Sequence, residues 1–256
     1  MDDTKKNSLS SVQSALKILS LFSFEEPEKR VTQIAKEMGI AKSTASRLLS
    51  SLANEGFVKK NKDTQKYSLG TKLLTLYSRM ISNLEVVKEA KPYLEQLSKD
   101  TSESIQLSQL DGKNVVYIDN IKSTYPFQIT SHIGLVNPIH CTSSGKVLLA
   151  YQKDRLVDEI LVDLDKFTPS TITDPEILKE ELIHIKKMGY SYIENQFIQG
   201  IVSIAAPIKD YNNEIIAAIS LAGPIQRING EKSKLYINKV IEAAKKISVN
   251  MGYSSN

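Results

Sequence analysis

The sequence has a single cysteine, Cys141, so no disulfide can form within the chain. With only three histidines beside it, the usual ligand set of a structural zinc site is missing too, and neither a metal nor a cofactor is expected. Long apolar runs are absent. The longest largely apolar stretch, Ile215 to Ala222, is about a third of what crosses a bilayer. The start, MDDTKKNSLSS, is polar and has no signal-peptide core, so the expected compartment is the cytoplasm and no membrane partner is expected. Internal repeats and low-complexity tracts are also lacking. What is present is an ordinary globular balance, 41% hydrophobic and 24% charged, which excludes extended disorder and collagen-like repeats. At 256 residues, against about 150 per domain, one to two domains are expected.

The net charge of +4 is unevenly placed. Residues 1–75 hold 13 Lys/Arg against 8 Asp/Glu, whereas the remainder holds 20 against 21. Such asymmetry fits either a polyanion-binding module joined to a neutral one or a merely solvated face. Apolar spacing along Val12 to Phe22 predicts a helix capped by Ser10 or Ser11. Thr32 is a candidate cap for a short helix over Ile34, Ala35 and Met38, which Gly39 ends by taking the left-handed conformation. Over Lys42 to Asn54, Ala45, Leu48, Leu49 and Leu52 form one stripe, and Ser43, Ser46, Arg47 and Ser50 form the other. Strand, turn and strand follow over Phe57 to Lys60, Asn61 to Thr64 and Gln65 to Leu69. Helix, helix, tight glycine turn, helix and basic hairpin is the order of a winged helix-turn-helix.

Residues 71–80 and 85–100 read as helices joining the two halves, with Pro92 as a kink or a new start. From Ser104 the period changes to alternation, with a turn at Asp111-Gly112. Helices are expected near 143–151, 154–161 and 175–188, the last opened by Asp174-Pro175, then strands at 201–208 and 215–222 and a closing helix over 232–250. The fold class is therefore α+β, a winged helix-turn-helix followed by linker helices and a sensor domain with an antiparallel sheet.

In the Lys42 to Ser50 helix, short hydroxyls allow close approach to base edges and phosphates, while Arg47 can fork onto guanine or a phosphate. The candidate DNA contacts are Thr32, Lys42, Ser43, Thr44, Ser46 and Arg47, joined by Lys59, Lys60, Lys62 and Lys66 of the hairpin. The segment His140 to Lys146 is not a P-loop, because no glycine lies five residues before Gly145 and Val147 replaces the required hydroxyl. Ser143 and Lys146 have the Ser-x-x-Lys spacing of penicillin-binding enzymes, but Ser-Asp-Asn and Lys-Thr-Gly occur nowhere. What remains is a helix start that either holds a small anion or is simply capped. His184 lacks the second histidine of a zincin helix. No catalytic residue is assigned and no enzyme is expected.

The run Thr32 to Leu52, the wing ending Tyr67-Ser-Leu-Gly70, the motif His140-Cys-Thr-Ser-Ser-Gly-Lys-Val-Leu-Leu-Ala150, and the pair Gly200 to Pro207 and Ala217 to Pro224 together resemble the IclR family of bacterial transcriptional regulators. The resemblance runs from about Ser11 to Asn250. It implies a DNA-binding domain over residues 1–75, linker helices over 76–100 and a GAF-like α/β effector domain over 101–256. It further implies operator binding as a homodimer, pairing into a tetramer, with affinity for double-stranded DNA altered by a small metabolite. On the matching positions, Ser143, Ser144, Ser203 and Ser220 line the effector pocket, while a second frequent serine is replaced by Ala222. The loop that commonly carries Asp and Glu reads Ile193-Glu194-Asn195-Gln196. The expected function is a regulator, a repressor whose effector is a small carboxylate. The rival readings are an activator of the same family and a metabolite-binding module that ignores DNA.

Overall fold

The computed structural model describes residues 10–126, 129 and 131–254, and the chain divides between Asn83 and Leu84 into two units. In the first, α1 (Ser11–Leu19) is capped by Ser10, whose hydroxyl accepts from Gln13 N while Gln13 Oε1 accepts from Ser10 N. The two bonds satisfy orphan donors reciprocally. α2 (Val31–Met38) begins one residue before the expected cap: Arg30 is the cap position, and Thr32 is an exposed residue of the first turn. The reason is local. Gln33 Oε1 accepts from Arg30 N at 2.8 Å, and the Arg30 carbonyl accepts from Gln33 and Ile34, so no threonine hydroxyl is needed. Gly39 then turns the chain at φ 63°, and α3 (Lys42–Asn54) follows over the expected span.

The core of this unit joins Ile18, Ile34, Leu48, Leu49 and Leu52 of the helices to Val58 and Tyr67 of a hairpin. The hairpin, β1 (Val58–Lys60) with β2 (Tyr67–Leu69), is shorter than the sequence suggests. Asn61 Oδ1 accepts from Asp63 N and Thr64 N, and Gln65 takes φ 56°, so the turn runs on and pairing resumes only at Tyr67. Lys29 forms an isolated antiparallel bridge beside the hairpin by exchanging both backbone hydrogen bonds with Tyr67, at 2.9 and 2.8 Å. Its ammonium is buried between Glu26 and Glu37, whose hydrogen bonds hold the lysine above its ordinary pKa. Both glutamates keep contact with solvent, so the group costs far less than an isolated buried charge. α4 (Lys72–Ser82) closes the unit and buries none of its residues.

The second unit opens with α5 (Glu85–Thr101), one uninterrupted helix through Pro92. The proline sits on the exposed face, while Val86, Ala90, Leu94 and Leu97 enter the core. Burying those side chains, at about 1.5–3 kcal/mol for each large one, outweighs roughly 3 kcal/mol for an interior proline. Six antiparallel strands follow in the order β5-β4-β3-β8-β7-β6. They are β3 (Ser104–Asp111), β4 (Asn114–Ile121), β5 (Val136–Pro138), β6 (Ser191–Glu194), β7 (Ile201–Lys209) and β8 (Ile215–Pro224). Between β5 and β6 run α6 (Ser143–Ala150), α7 (Asp154–Leu161) and α8 (Pro175–Met188), and α9 (Gly230–Asn250) ends the fold. Asp174 caps α8 by accepting from Glu176 N and Ile177 N, with Pro175 at the first helical position.

Alternation in the central strands gives the sheet two different faces. Ile105, Leu107, Val202, Ile204, Ile219 and Leu221 pack with α5 and α9 in one core. Ala205 and Ala218 on the opposite face pack with α6 and α8 in another. Among the described residues, no helix is long and apolar enough to cross a membrane.

Gly39 offers a clean test of local geometry, because a Cβ there would meet nothing within 4 Å and only the left-handed backbone opposes it. Gly39→Ala should destabilise the first unit by about 1–2 kcal/mol in urea unfolding of the full chain. An unchanged midpoint would show that the turn relaxes.

Candidate nucleic-acid interface and ligand pocket

α3 separates its two stripes cleanly. Ala45, Leu48, Leu49 and Leu52 are buried, and Lys42, Ser43, Ser46, Arg47 and Ser50 are exposed, with Thr44 half-buried. Ala41 precedes the helix and caps it with no side chain, so an anion can meet the amides of the first turn without displacing a capping group. Lys59, Lys60 and Lys62 are exposed on the hairpin and Lys66 is half-buried; Lys60 Nζ lies 5.6 Å from the Tyr67 ring centre. All ten expected contact residues therefore lie in one unit, on or between the elements of the winged helix-turn-helix, where each is exposed or half-buried, Thr32 in the first turn of α2 among them. Lys29 is the cation that the sequence did not place. It belongs to the core and is neutralised there.

In the second unit a small cleft of about 60 Å³ opens beyond the N-terminus of α6. Its polar lining includes Gln106, Tyr117, Ser131, Asn137, Ser144 and Ser203, beside Ile193, Phe197 and Ile198. Of the four expected serines, Ser144 and Ser203 reach the cavity wall. Ser143 stands behind and shares a 2.5 Å hydrogen bond with the Ser203 hydroxyl. Ser220 also stands behind, buried, and donates to Gln106 Oε1 at 3.2 Å. Burial pushes the Tyr117 phenol up to about 12, so it faces the cleft as a neutral hydroxyl at pH 7.

Thr142 caps α6, accepting from Gly145 N and donating to the Pro138 carbonyl at 2.8 Å. Gly145 is required by close approach, since a Cβ there would lie 2.2 Å from the Ile139 carbonyl oxygen. Burial lowers the His140 pKa, and Nε2 meets the Asp165 carbonyl at 2.9 Å. Cys141 is fully buried, which pushes its thiol up to about 12.

The residue that sequence reasoning missed is Lys146. It is completely buried, donates to the Glu181 carboxylate and to Gln196 Oε1, and through Gln196 adjoins the cavity. Burial lowers its pKa, and the Glu181 carboxylate offsets part of that shift. Ser143 and Lys146 thus bond elsewhere, to Ser203 on one side and to Glu181 and Gln196 on the other, so they are not a nucleophile and its base. The signal for this burial was present: the helix continues Val-Leu-Leu-Ala, apolar on every side, which leaves a lysine no solvent face. Among the described residues, no group of three or more His, Cys, Asp or Glu is placed to hold a metal.

Comparison with known proteins finds a family match in each half of the chain. Residues 11–62 match the IclR helix-turn-helix domain, and residues 78–249 match the model described as bacterial transcriptional regulator IclR C-terminal. The chain is 34% identical over 253 residues to the HTH-type transcriptional regulator KdgR of Escherichia coli K12, covering 98% of this chain and 96% of the relative. It is 28% identical to the transcriptional repressor IclR of the same organism, covering 94% and 90%. Among solved structures, an IclR homologue from Microbacterium hydrocarbonoxydans, complexed with 4-hydroxybenzoate, superposes with a TM-score of 0.86 at 25% identity, covering 96% of this chain and all of that one. With both halves matched in order and a relative one-third identical over nearly its whole length, the chain belongs to the IclR family of DNA-binding transcriptional regulators.

Proposed function

We propose that the protein is a repressor that binds operator DNA as a homodimer pairing into a tetramer in the cytoplasm, and that a small carboxylate in the α6 pocket changes its operator affinity. Residues 1–75 carry the DNA contacts, 76–100 connect, and 101–256 bind the effector. The observation that carries this reading is the exposed Lys-Ser-Thr-Ser-Arg face of α3 beside a lysine-bearing wing. The pocket supports the effector half, as does the 4-hydroxybenzoate found in the Microbacterium homologue. The relative named as a repressor supports the sign of regulation.

Dimerisation follows from the duplex. Two recognition helices reach successive major grooves on one face only when about 34 Å or a multiple of it apart, which takes two copies. α4 supports this: it buries none of its own residues and exposes Leu74, Leu76 and Met80, as α1 exposes Val12 and Leu16. Effector control is then linkage. A ligand that prefers one arrangement of the two helices changes operator affinity by that same differential free energy, and DNA changes ligand affinity equally.

Sequencing genomic fragments retained by the purified protein gives the operator. On that fragment Arg47→Ala should cost about 1–3 kcal/mol by fluorescence anisotropy, and a loss confined to the salt slope would make Arg47 a phosphate contact. Undiminished affinity would remove it from the interface. For the pocket, a thermal-shift screen should find carboxylates among the stabilising compounds, and Ser144→Ala should shrink their effect. A screen in which only neutral compounds stabilise the protein would reject the carboxylate.

A further inference from the structure

One side chain of the pocket has its orientation fixed from outside. An amide's oxygen and nitrogen are usually interchangeable in a site, but Lys146 is a donor with no acceptor to offer. Held by Glu181, it takes the carbonyl end of Gln196. The amide nitrogen therefore points away from Lys146, and among the described residues it has no acceptor. The loop beneath is pinned as well. Thr168 Oγ1 donates to the Asn195 carbonyl, Thr171 Oγ1 to the Gln196 carbonyl at 2.7 Å, and Gly200 N to Asn195 Oδ1 at 2.6 Å. Gln196 lines the cavity on one side, and the Ser144 hydroxyl, on a residue 2% exposed and without a partner among the described residues, lines it on another. No charged side chain belongs to the lining among those residues, so discrimination between ligands falls to fixed neutral donors.

We propose that Gln196 is the specificity-determining residue of this pocket, turning its two N–H donors to the carboxylate of the ligand, and that Lys146 is the positioning residue that prevents the amide from flipping. The proposal rests on the effector reading above and adds which residue chooses the ligand's end group. A flipped amide would offer an oxygen instead and would favour a donor, such as a carboxamide NH₂.

The test uses the full chain with matched probes, 4-hydroxybenzoate, gluconate and pyruvate, each beside its primary amide, in thermal shift and titration calorimetry. The wild type should bind at least one acid more tightly than its amide. Gln196→Glu should weaken that acid about 10- to 100-fold, the worth of a hydrogen bond to a charged group plus the repulsion replacing it, and should narrow or invert the preference. Gln196→Leu should lose the acid without gaining the amide. Lys146→Met in combination with Glu181→Met should leave both probes bound with the acid preference reduced, a change of selectivity that a merely structural lysine would not produce. Near-UV circular dichroism of each variant establishes its fold, and Gln196→Leu keeps the test decisive if the double variant unfolds. Acid binding equal in wild type and Gln196→Glu would overturn the proposal and leave the effector reading standing. If no acid or amide shifts the wild type, both fall together.

Discussion

The second unit depends on one face of its sheet being paved with small side chains. β7 and β8 put Ser203, Ala205, Ala218, Ser220 and Ala222 on that face and Val202, Ile204, Ile219 and Leu221 on the other. α6 therefore lies close to the strands, all eight of its residues buried, with Gly145 against the Ile139 carbonyl. A bulky residue at Ser203 or Ala222 would fill the cavity, because both form its wall. The opposite face, packed with branched side chains under α5 and α9, carries most of the apolar burial. One face thus supplies stability and leaves the other room for polar groups.

Both units contain a buried lysine, and the solution is the same in each. Lys29 is held by Glu26 and Glu37, and Lys146 by Glu181 and Gln196. An ammonium removed from water without partners costs several kcal/mol, and two acceptors at each site offset that cost. The partners differ in a way that matters. Lys29 has two carboxylates in contact with solvent and, through its backbone bridge to Tyr67, ties the segment before α2 to the wing. Lys146 has one carboxylate and one amide, so its surplus of order is passed to a side chain at the cavity wall.

Much of this was legible in the sequence, and the boundary of legibility is physical. α3 and α8 were readable because apolar spacing, a glycine in the left-handed conformation before one and Asp-Pro at the start of the other are local signals. β5 and β6, with three and four residues, are too short for alternation to register. Thr32 looked like a cap because its hydroxyl suits that position, but Gln33 satisfied Arg30 N first. The family resemblance named four serines, and packing alone separates the two at the wall from the two behind it. Lys146 was hidden because lysine is ordinarily a surface residue, and its partners lie 35 and 50 positions away.

Cys141 has a practical corollary. A thiol buried inside the second unit, its pKa pushed up to about 12 by that burial, is disfavoured as a nucleophile toward maleimides and in disulfide exchange. The natural chain is already a silent background for site-directed labelling. One cysteine introduced on the solvent side of α3 would carry the chain's reactive sulfur, and a spin or fluorophore label there would report directly on the surroundings of that helix, with no native residue removed.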